Sequence, residues 1–295
     1  MLSGCKVDII IPVFNDSSGL KRCLLSLEEQ LEAFPSCGVI VVDNGSSPPI
    51  EPVVTDGIPL RLLKCETPGS YAARNAGVAE SNADVLVFLD ADCVPSEGWL
   101  LNGLKTLLGY DGPCIVGGDV RFFKSEKPSA TEVYQLMVGF GQEENIRERH
   151  FSVTANLFTK MTTIREVGGF NEGLLSGGDK EWCLRAGEAG CPVVFDASAI
   201  VYTEPRKTLM QAITQARRVA GGRYVMQESQ KPVEAVTTSG PSSEKGLVDK
   251  AGFVLKHSDF GVGMRLSVFG VATLIFLARK LETIRLRLGS KMERR

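Results

Sequence analysis

The 295-residue sequence lacks an apolar run of ordinary membrane-spanning length. The longest stretch, residues 266–278 (LSVFGVATLIFLA), has 13 residues, against about 20 needed to cross a bilayer. It also lacks a strong charge of either sign. Its 33 Lys and Arg against 35 Asp and Glu leave a net −2, which excludes a global field that would recruit nucleic acid or acidic partners. Eight cysteines (5, 23, 37, 65, 93, 114, 183 and 191) form no C-x-x-C pair and show no zinc spacing. Several sit in apolar contexts, as free thiols of a reducing compartment do. The opening residues, MLSGCKVDIIIPVFND, lack the long apolar region and small-residue cleavage site of a signal peptide. A cytosolic location is therefore expected. No internal repeat is visible, and the length suits one large domain or two modest ones with a real core.

What is present alternates. Val7–Val13 is apolar and β-branched and ends in the polar turn Asn15-Asp16-Ser17-Ser18, the pattern of a buried strand. Residues 19–34 place Leu20, Leu24, Leu27 and Leu31 on one helix face. Residues 39–42 form a second apolar run, stopped by Asp43-Asn44-Gly45-Ser46-Ser47, and 60–63 a third. Pro68-Gly69-Ser70 opens a helix over 71–80 with Ser70 as its cap, and Val85–Leu89 is a fourth strand. Strand–helix alternation predicts an α/β fold, a parallel sheet covered on both faces. Ligands of such sheets bind at the carboxyl ends of the strands. The clusters at 15–18, at 43–47 and at Asp90 with Asp92 all fall at such ends.

Beyond Cys93 the alternation lapses. A helix is expected at 98–108, strand pieces at 114–118 and 120–123, and a helix or mobile loop over 130–145. A strand follows at 151–160, a helix at 178–190, short strands at 192–195 and 199–202, and a basic helix at 208–227. The expected division is a sheet domain over 1–228, a Ser-, Pro-, Glu- and Thr-rich flexible linker at 229–246, and a C-terminal amphipathic helical extension at 247–295.

Two aspartates one residue apart at a strand end repel. An Asp after a strand commonly caps the next helix or makes an Asx turn. A divalent cation offers another reason, since Mg²⁺ and Mn²⁺ take oxygen ligands from one or two carboxylates plus substrate phosphates.

Six ordered segments carry a resemblance: IIIPVFND, VIVVDNGSS, AARNAG, LDADC, FSVTAN and GGFNEGLLSGGDKEWCLRAGEAG. Together they resemble the family 2 glycosyltransferases of the GT-A fold, over most of residues 6–225. The resemblance implies a Rossmann-like, mostly parallel mixed sheet flanked by helices. It also implies an inverting transfer from a nucleoside-diphosphate sugar, expected to be UDP-linked, to a hydroxyl acceptor, in polysaccharide or glycolipid synthesis. By the same resemblance Pro12, Val13 and Asn15 line the nucleotide pocket, and Asp43 accepts from the base. Arg74 reaches the base or diphosphate, with Ala91 between Asp90 at the ribose or a metal-bound water and Asp92 on Mn²⁺ or Mg²⁺. Asp179 becomes the general base, with Glu181 as its rival. Asn156 and Trp182 face the acceptor, and Arg206 and Arg217 form a basic patch for the diphosphate or an anionic acceptor.

Simpler readings stand beside these. Acidic residues at a helix start are favoured by its dipole, Trp182 is equally a core indole, and the basic residues equally a solvated face. The sequence also departs from the family pattern. Gly178 replaces the usual Glu before Asp179, and Thr203 stands where many relatives have a His that completes the metal shell. The two histidines, His150 and His257, lie elsewhere, leaving Glu204 or water as the substitute ligand. Residues 139–150 read as a flap over the site. The tail, with the partner surface expected at 264–288, reads as a docked or dimerising helix or as a basic-skirted contact with the inner face of the cell membrane. A carboxylate-pair hydrolase and a silent nucleotide-sugar-binding protein are the rival functions.

Overall fold

The computed structural model describes residues 4–51, 59–229 and 260–290. The chain divides into two compact units, Met1–Phe123 with Phe140–Glu204, and Lys124–Gly139 with Pro205–Arg295.

The first unit is built on an eight-stranded mixed sheet. At its centre β1 (Val7–Val13) pairs in parallel with β2 (Cys37–Asp43) and with β4 (Val85–Leu89), and β3 (Leu60–Lys64) adds beyond β2. β4 reads as an unbroken apolar run, as a strand covered on both faces does, and β1 departs from one only at the buried Asp8. Every residue of β4 is buried, and so is all of β1 except the half-buried Pro12. On the other side of β4 the sheet turns antiparallel at β7 (Asn156–Lys160) and continues through β6 (Ile115–Phe122) and β8 (Val193–Thr203) to a three-residue edge, β5 (Cys93–Pro95). The two strand pieces expected at 114–123 are one strand with a register shift between Gly118 and Asp119. Its partner β8 likewise joins the pieces expected at 192–195 and 199–202.

Helix α1 (Ser17–Glu32) buries Leu20, Leu24, Leu27 and Leu31, the predicted face, and is capped by Asp16, whose side chain accepts from Gly19 N at 2.8 Å. Helix α2 (Ser70–Glu80) starts one residue earlier than expected, so Ser70 is its first residue rather than its cap. It lies close on the sheet: a Cβ at Gly77 would stand 2.6 Å from Ile10. Helix α3 (Trp99–Leu108) follows. The single helix or loop expected at 130–145 is two helices, α4 (Ala130–Val138) and α5 (Gln142–Arg149), split by Gly139 and Gly141 at φ 61° and 60°. The expected flap is therefore helix α5. Gln142, Asn145 and Ile146 are buried on its inner side, and Gln142 donates to Ser152 Oγ at 2.9 Å. Helices α6 (Met161–Val167) and α7 (Gly178–Glu188) complete the unit.

The second unit packs α4 with α8 (Leu209–Ser229) and α9 (Val262–Arg287). Its core is Val133, Tyr134, Ala212, Ala216, Val268, Val271, Ala272 and Ile275. Helix α8, expected with the sheet domain, groups instead with the C-terminal helix. From residue 230 on, the linker expected at 229–246 lies outside the described residues.

Candidate active site

The loops after β1 and β2 are stitched to each other. Asn15, at φ 54°, donates its amide to Ser46 Oγ at 2.9 Å and accepts from Ser47 N at 2.8 Å, while Asn44 N bonds Val13 O. Asp43 is buried at 3% exposure, and its two oxygens accept from Ser46 N at 2.9 Å and Ile50 N at 3.1 Å. Burial alone would raise its proton affinity. The Ser46 hydroxyl and the two amides outweigh that, so the carboxyl sits below the usual range. The Asp43 carboxylate thus builds its own loop, after β2. Its neighbour Asn44 joins that loop to α2, donating to Thr67 O at 2.7 Å and accepting from Gly69 N at 2.8 Å.

Helix α2 is the hub of the site. Arg74, 3% exposed, is salt-bridged to Asp90 at 2.5 Å, and its Nε is buried without a hydrogen-bond partner. Leaving such a donor unmet costs about 1–3 kcal/mol. One helical turn earlier, Tyr71 lies under the guanidinium, 5.6 Å from ring centroid to Cζ, and donates its hydroxyl to Asp179 Oδ1 at 3.3 Å. Asn75 clamps the loop before α7, donating to Phe170 O and Glu172 Oε1, both at 2.8 Å, and accepting from Phe170 N at 2.9 Å. One helix thus ties Asp90 at the tip of β4 to the acidic start of α7.

Asp179 is half-buried by surface area, yet burial is the leading influence on its carboxyl and pushes it above the usual range. The Lys180 amide, Arg74 and Tyr71 pull it down, and the charge of Asp90 adds to the rise. Asp179 therefore senses the charge of Asp90. Tyr71 is held protonated by burial and by the charge of Asp179. Gly178 makes this pairing possible: a Cβ there would stand 2.7 Å from the Tyr71 ring. Tyr71 escaped the sequence reading. The available signals were its i, i+3 spacing to Arg74 and the missing side chain at Gly178.

The remaining expected residues separate. Pro12 is half-buried and Val13 buried at the end of β1, with Asn15 exposed beyond them; Ala91 is buried between Asp90 and the exposed Asp92. Asn156 is fully buried and all its polar atoms are engaged internally, accepting from Trp99 Nε1 at 2.8 Å and donating to Asp119 O and Ala199 O at 2.9 Å. Trp182 is equally buried, with its Nε1 bonded to Gly168 O and its ring 5.1 Å from Phe170. Both are core residues, so neither touches an acceptor. Glu181 is ion-paired with Arg185 at 2.9 Å. Arg206 and Arg217 belong to the second unit, where Arg217 is bound to Glu282 at 2.7 Å.

Among the described residues no group of three or more His, Cys, Asp or Glu gathers to hold a metal unaided. Thr203, in the family's His position, is buried and pairs with Cys93 in the β5–β8 ladder, beside Asp92. Two carboxylates at the mouth, Asp90 and Asp92, are a donor set that fits a hard cation completing its shell from phosphate and water.

Comparison with known proteins identifies the family and the fold. The glycosyl transferase family 2 model matches residues 8–167. The glycosyltransferase AglE of Haloferax volcanii is 34% identical over 74% of this chain and 72% of its own length. The pre-mycofactocin glycosyltransferase of Mycobacterium tuberculosis is 33% identical over 69% of this chain but only 43% of its own length. Among solved structures, mannosyltransferase PcManGT from Pyrobaculum calidifontis, in complex with GDP-Man and Mn²⁺, shares the fold at TM-score 0.54 and 16% identity, over 97% of this chain and 79% of that one.

Proposed function

The chain belongs to glycosyl transferase family 2, and we propose that it moves a sugar, with inversion, from a nucleoside-diphosphate donor to an acceptor hydroxyl using Asp179 as general base. The observation that carries this reading is α2, one helix presenting Arg74 to Asp90 and Tyr71 to Asp179. Donor-side and acceptor-side chemistry are thereby held in fixed relation, which is most of what a displacement of this kind needs.

The Asp179 carboxylate takes the proton of the acceptor hydroxyl as its oxygen bonds to the anomeric carbon, opposite the bond to the diphosphate. That bond breaks, the electron pair leaves with the nucleoside diphosphate, and the proton ends on Asp179. A raised proton affinity suits this role, because a base close to the operating pH both ionises and accepts. Asn15, Asp43 and Asn44 shape the floor of the donor pocket through their own loops. Mn²⁺ or Mg²⁺ would be held by Asp92 and Asp90 and would supply Lewis-acid neutralisation of the leaving diphosphate. The Mn²⁺ in PcManGT supports this at the level of fold.

The proposed donor is a UDP-sugar and the proposed acceptor a saccharide or a lipid-linked sugar. All eight cysteines are free and six are buried, which supports a cytoplasmic setting. Isothermal titration with UDP tests the donor half. Wild type is expected to give heat with Mn²⁺ and little without it. Asp92→Ala is expected to lose the metal-dependent part while keeping its thermal transition. Unchanged UDP–Mn²⁺ affinity in Asp92→Ala would remove that residue from the mechanism. Heat with GDP but not UDP would change the nucleotide and leave the rest standing.

A further inference from the structure

Helix α9 has two apolar faces, and only one is covered. Val268, Val271, Ala272 and Ile275 are buried in the core of the second unit. On the opposite side Leu266, Leu274, Leu277, Leu281, Ile284 and Leu288 are all exposed, Leu277 at 47% and Leu281 at 65%. From Leu274 onward they follow intervals of three and four, one continuous stripe. A helix packed by one face against a protein normally turns polar residues outward, and a contiguous exposed apolar patch marks a contact surface.

The charges around the stripe select what covers it. Helix α9 carries Arg265, Arg279, Lys280, Arg285 and Arg287 against one acid, Glu282. Glu282 is 4% exposed and bound to Arg217 and Arg285, each at 2.7 Å, so no carboxylate of α9 faces outward. Of these cations Lys280 and Arg287 are the exposed ones, and a second copy laid on this face, parallel or antiparallel, brings them against their own kind with no exposed acid of α9 to answer them. An anionic lipid surface answers both the leucines and the cations.

By length and composition α9 is also a helix that can cross a membrane. Between Arg265 and Arg279, however, only 13 residues are free of charge. At about 1.5 Å each they span about 20 Å, short of the roughly 30 Å hydrocarbon core. The Glu282–Arg217 pair further ties the polar end of α9 to α8. The helix suits lying along the interface rather than crossing it.

We propose that the outer face of α9 docks on an anionic membrane surface, its leucines entering the headgroup–acyl boundary and Lys280 and Arg287 meeting lipid phosphates. Nothing in this docking depends on the catalytic site. Sedimentation of the full chain with vesicles tests it. Wild type is expected to co-sediment with phosphatidylcholine–phosphatidylglycerol vesicles, much less with phosphatidylcholine alone, and to be released by high salt. Leu277→Glu with Leu281→Glu is expected to weaken vesicle binding more than about tenfold, with the thermal transition and UDP binding unchanged because both side chains are exposed. Lys280→Gln with Arg287→Gln, which keeps the stripe, is expected to remove the preference for anionic lipid. Failure of wild type to bind either vesicle overturns the proposal. That result with a wild-type dimer made monomeric by the double Glu variant gives the face to a second copy. The same failure from a monomer excludes the second copy as well. Binding that survives the double Glu variant also overturns it.

Discussion

Replacing Tyr71 with Phe isolates one hydrogen bond at the base. The ring stays against Gly178 and beneath Arg74, and only the hydroxyl that donates to Asp179 at 3.3 Å is lost. A hydrogen bond to a charged group contributes about 1.5–3 kcal/mol. At the long end of the distance range, and with the Lys180 amide still bonded to the same oxygen, about 1 kcal/mol is expected. The sign follows from which form the hydroxyl favours. It stabilises the carboxylate and so lowers the proton affinity of Asp179; its loss raises that affinity further. The base is then protonated at higher pH, and the acid limb of kcat/KM moves upward. At a fixed pH on that limb the rate falls about fivefold, while the plateau above it is nearly unchanged. The assay is nucleotide release against pH for wild type and Tyr71→Phe. An acid limb that stays in place or moves down refutes the reasoning, and an equal loss at every pH assigns Tyr71 to packing alone.

Gly178→Ala puts a methyl 2.7 Å from the Tyr71 ring. It is expected to cost about 1–3 kcal/mol by overpacking, read as a lower urea midpoint, and to be relieved in a Tyr71→Ala background. Asp179→Asn is expected to lose turnover by about 10²–10⁴-fold while melting higher than wild type above the acid range, since it removes a carboxylate whose ionised form the fold disfavours. The linkage runs the same way. The folded state holds that proton more tightly than the unfolded, so Asp179's share of stability falls as pH rises through its folded value; calorimetry of the two proteins across pH checks this. Glu282 has the opposite sign. Burial works against its charge, but Arg285 and Arg217 outweigh it and hold the carboxyl below the usual range. Glu282→Gln is expected to cost about 2 kcal/mol near neutrality, discounted for the part-exposed arginines, and the deficit is expected to close as pH falls into the acid range.

The parts of the fold legible in the sequence are those where burial leaves one reading. β1 and β4 fall where their apolar runs place them, because a strand covered on both faces is mostly apolar; the one buried charge, Asp8 in β1, is answered by Arg61 and Ser81. The inner face of α1 follows from leucine spacing in the same way. Pairing is less legible, since nothing local in 156–160 states that β7 runs antiparallel beside β4. β5, with three residues, is too short to show a period. The site divides along the same line. Asp90, Asp92 and Asp179 are visible because carboxylates at strand and helix ends are chemically conspicuous. Asn156 and Trp182 lie inside matching motifs, yet their polar atoms close bonds within the core, and no pattern of residue types announces that. Tyr71 shows the reverse: it sits in an ordinary helix start, and its partner is 108 positions away in sequence.

The guanidinium at β4 gives the empty protein its own counter-ion. Because Arg74 already faces Asp90, the strand tip is not a bare pair of like charges waiting for rescue. An arriving cation meets a seat already partly taken, and it must share that oxygen or shift the arginine toward the phosphates that come with it. Metal alone should therefore bind weakly here, and metal with nucleotide far better.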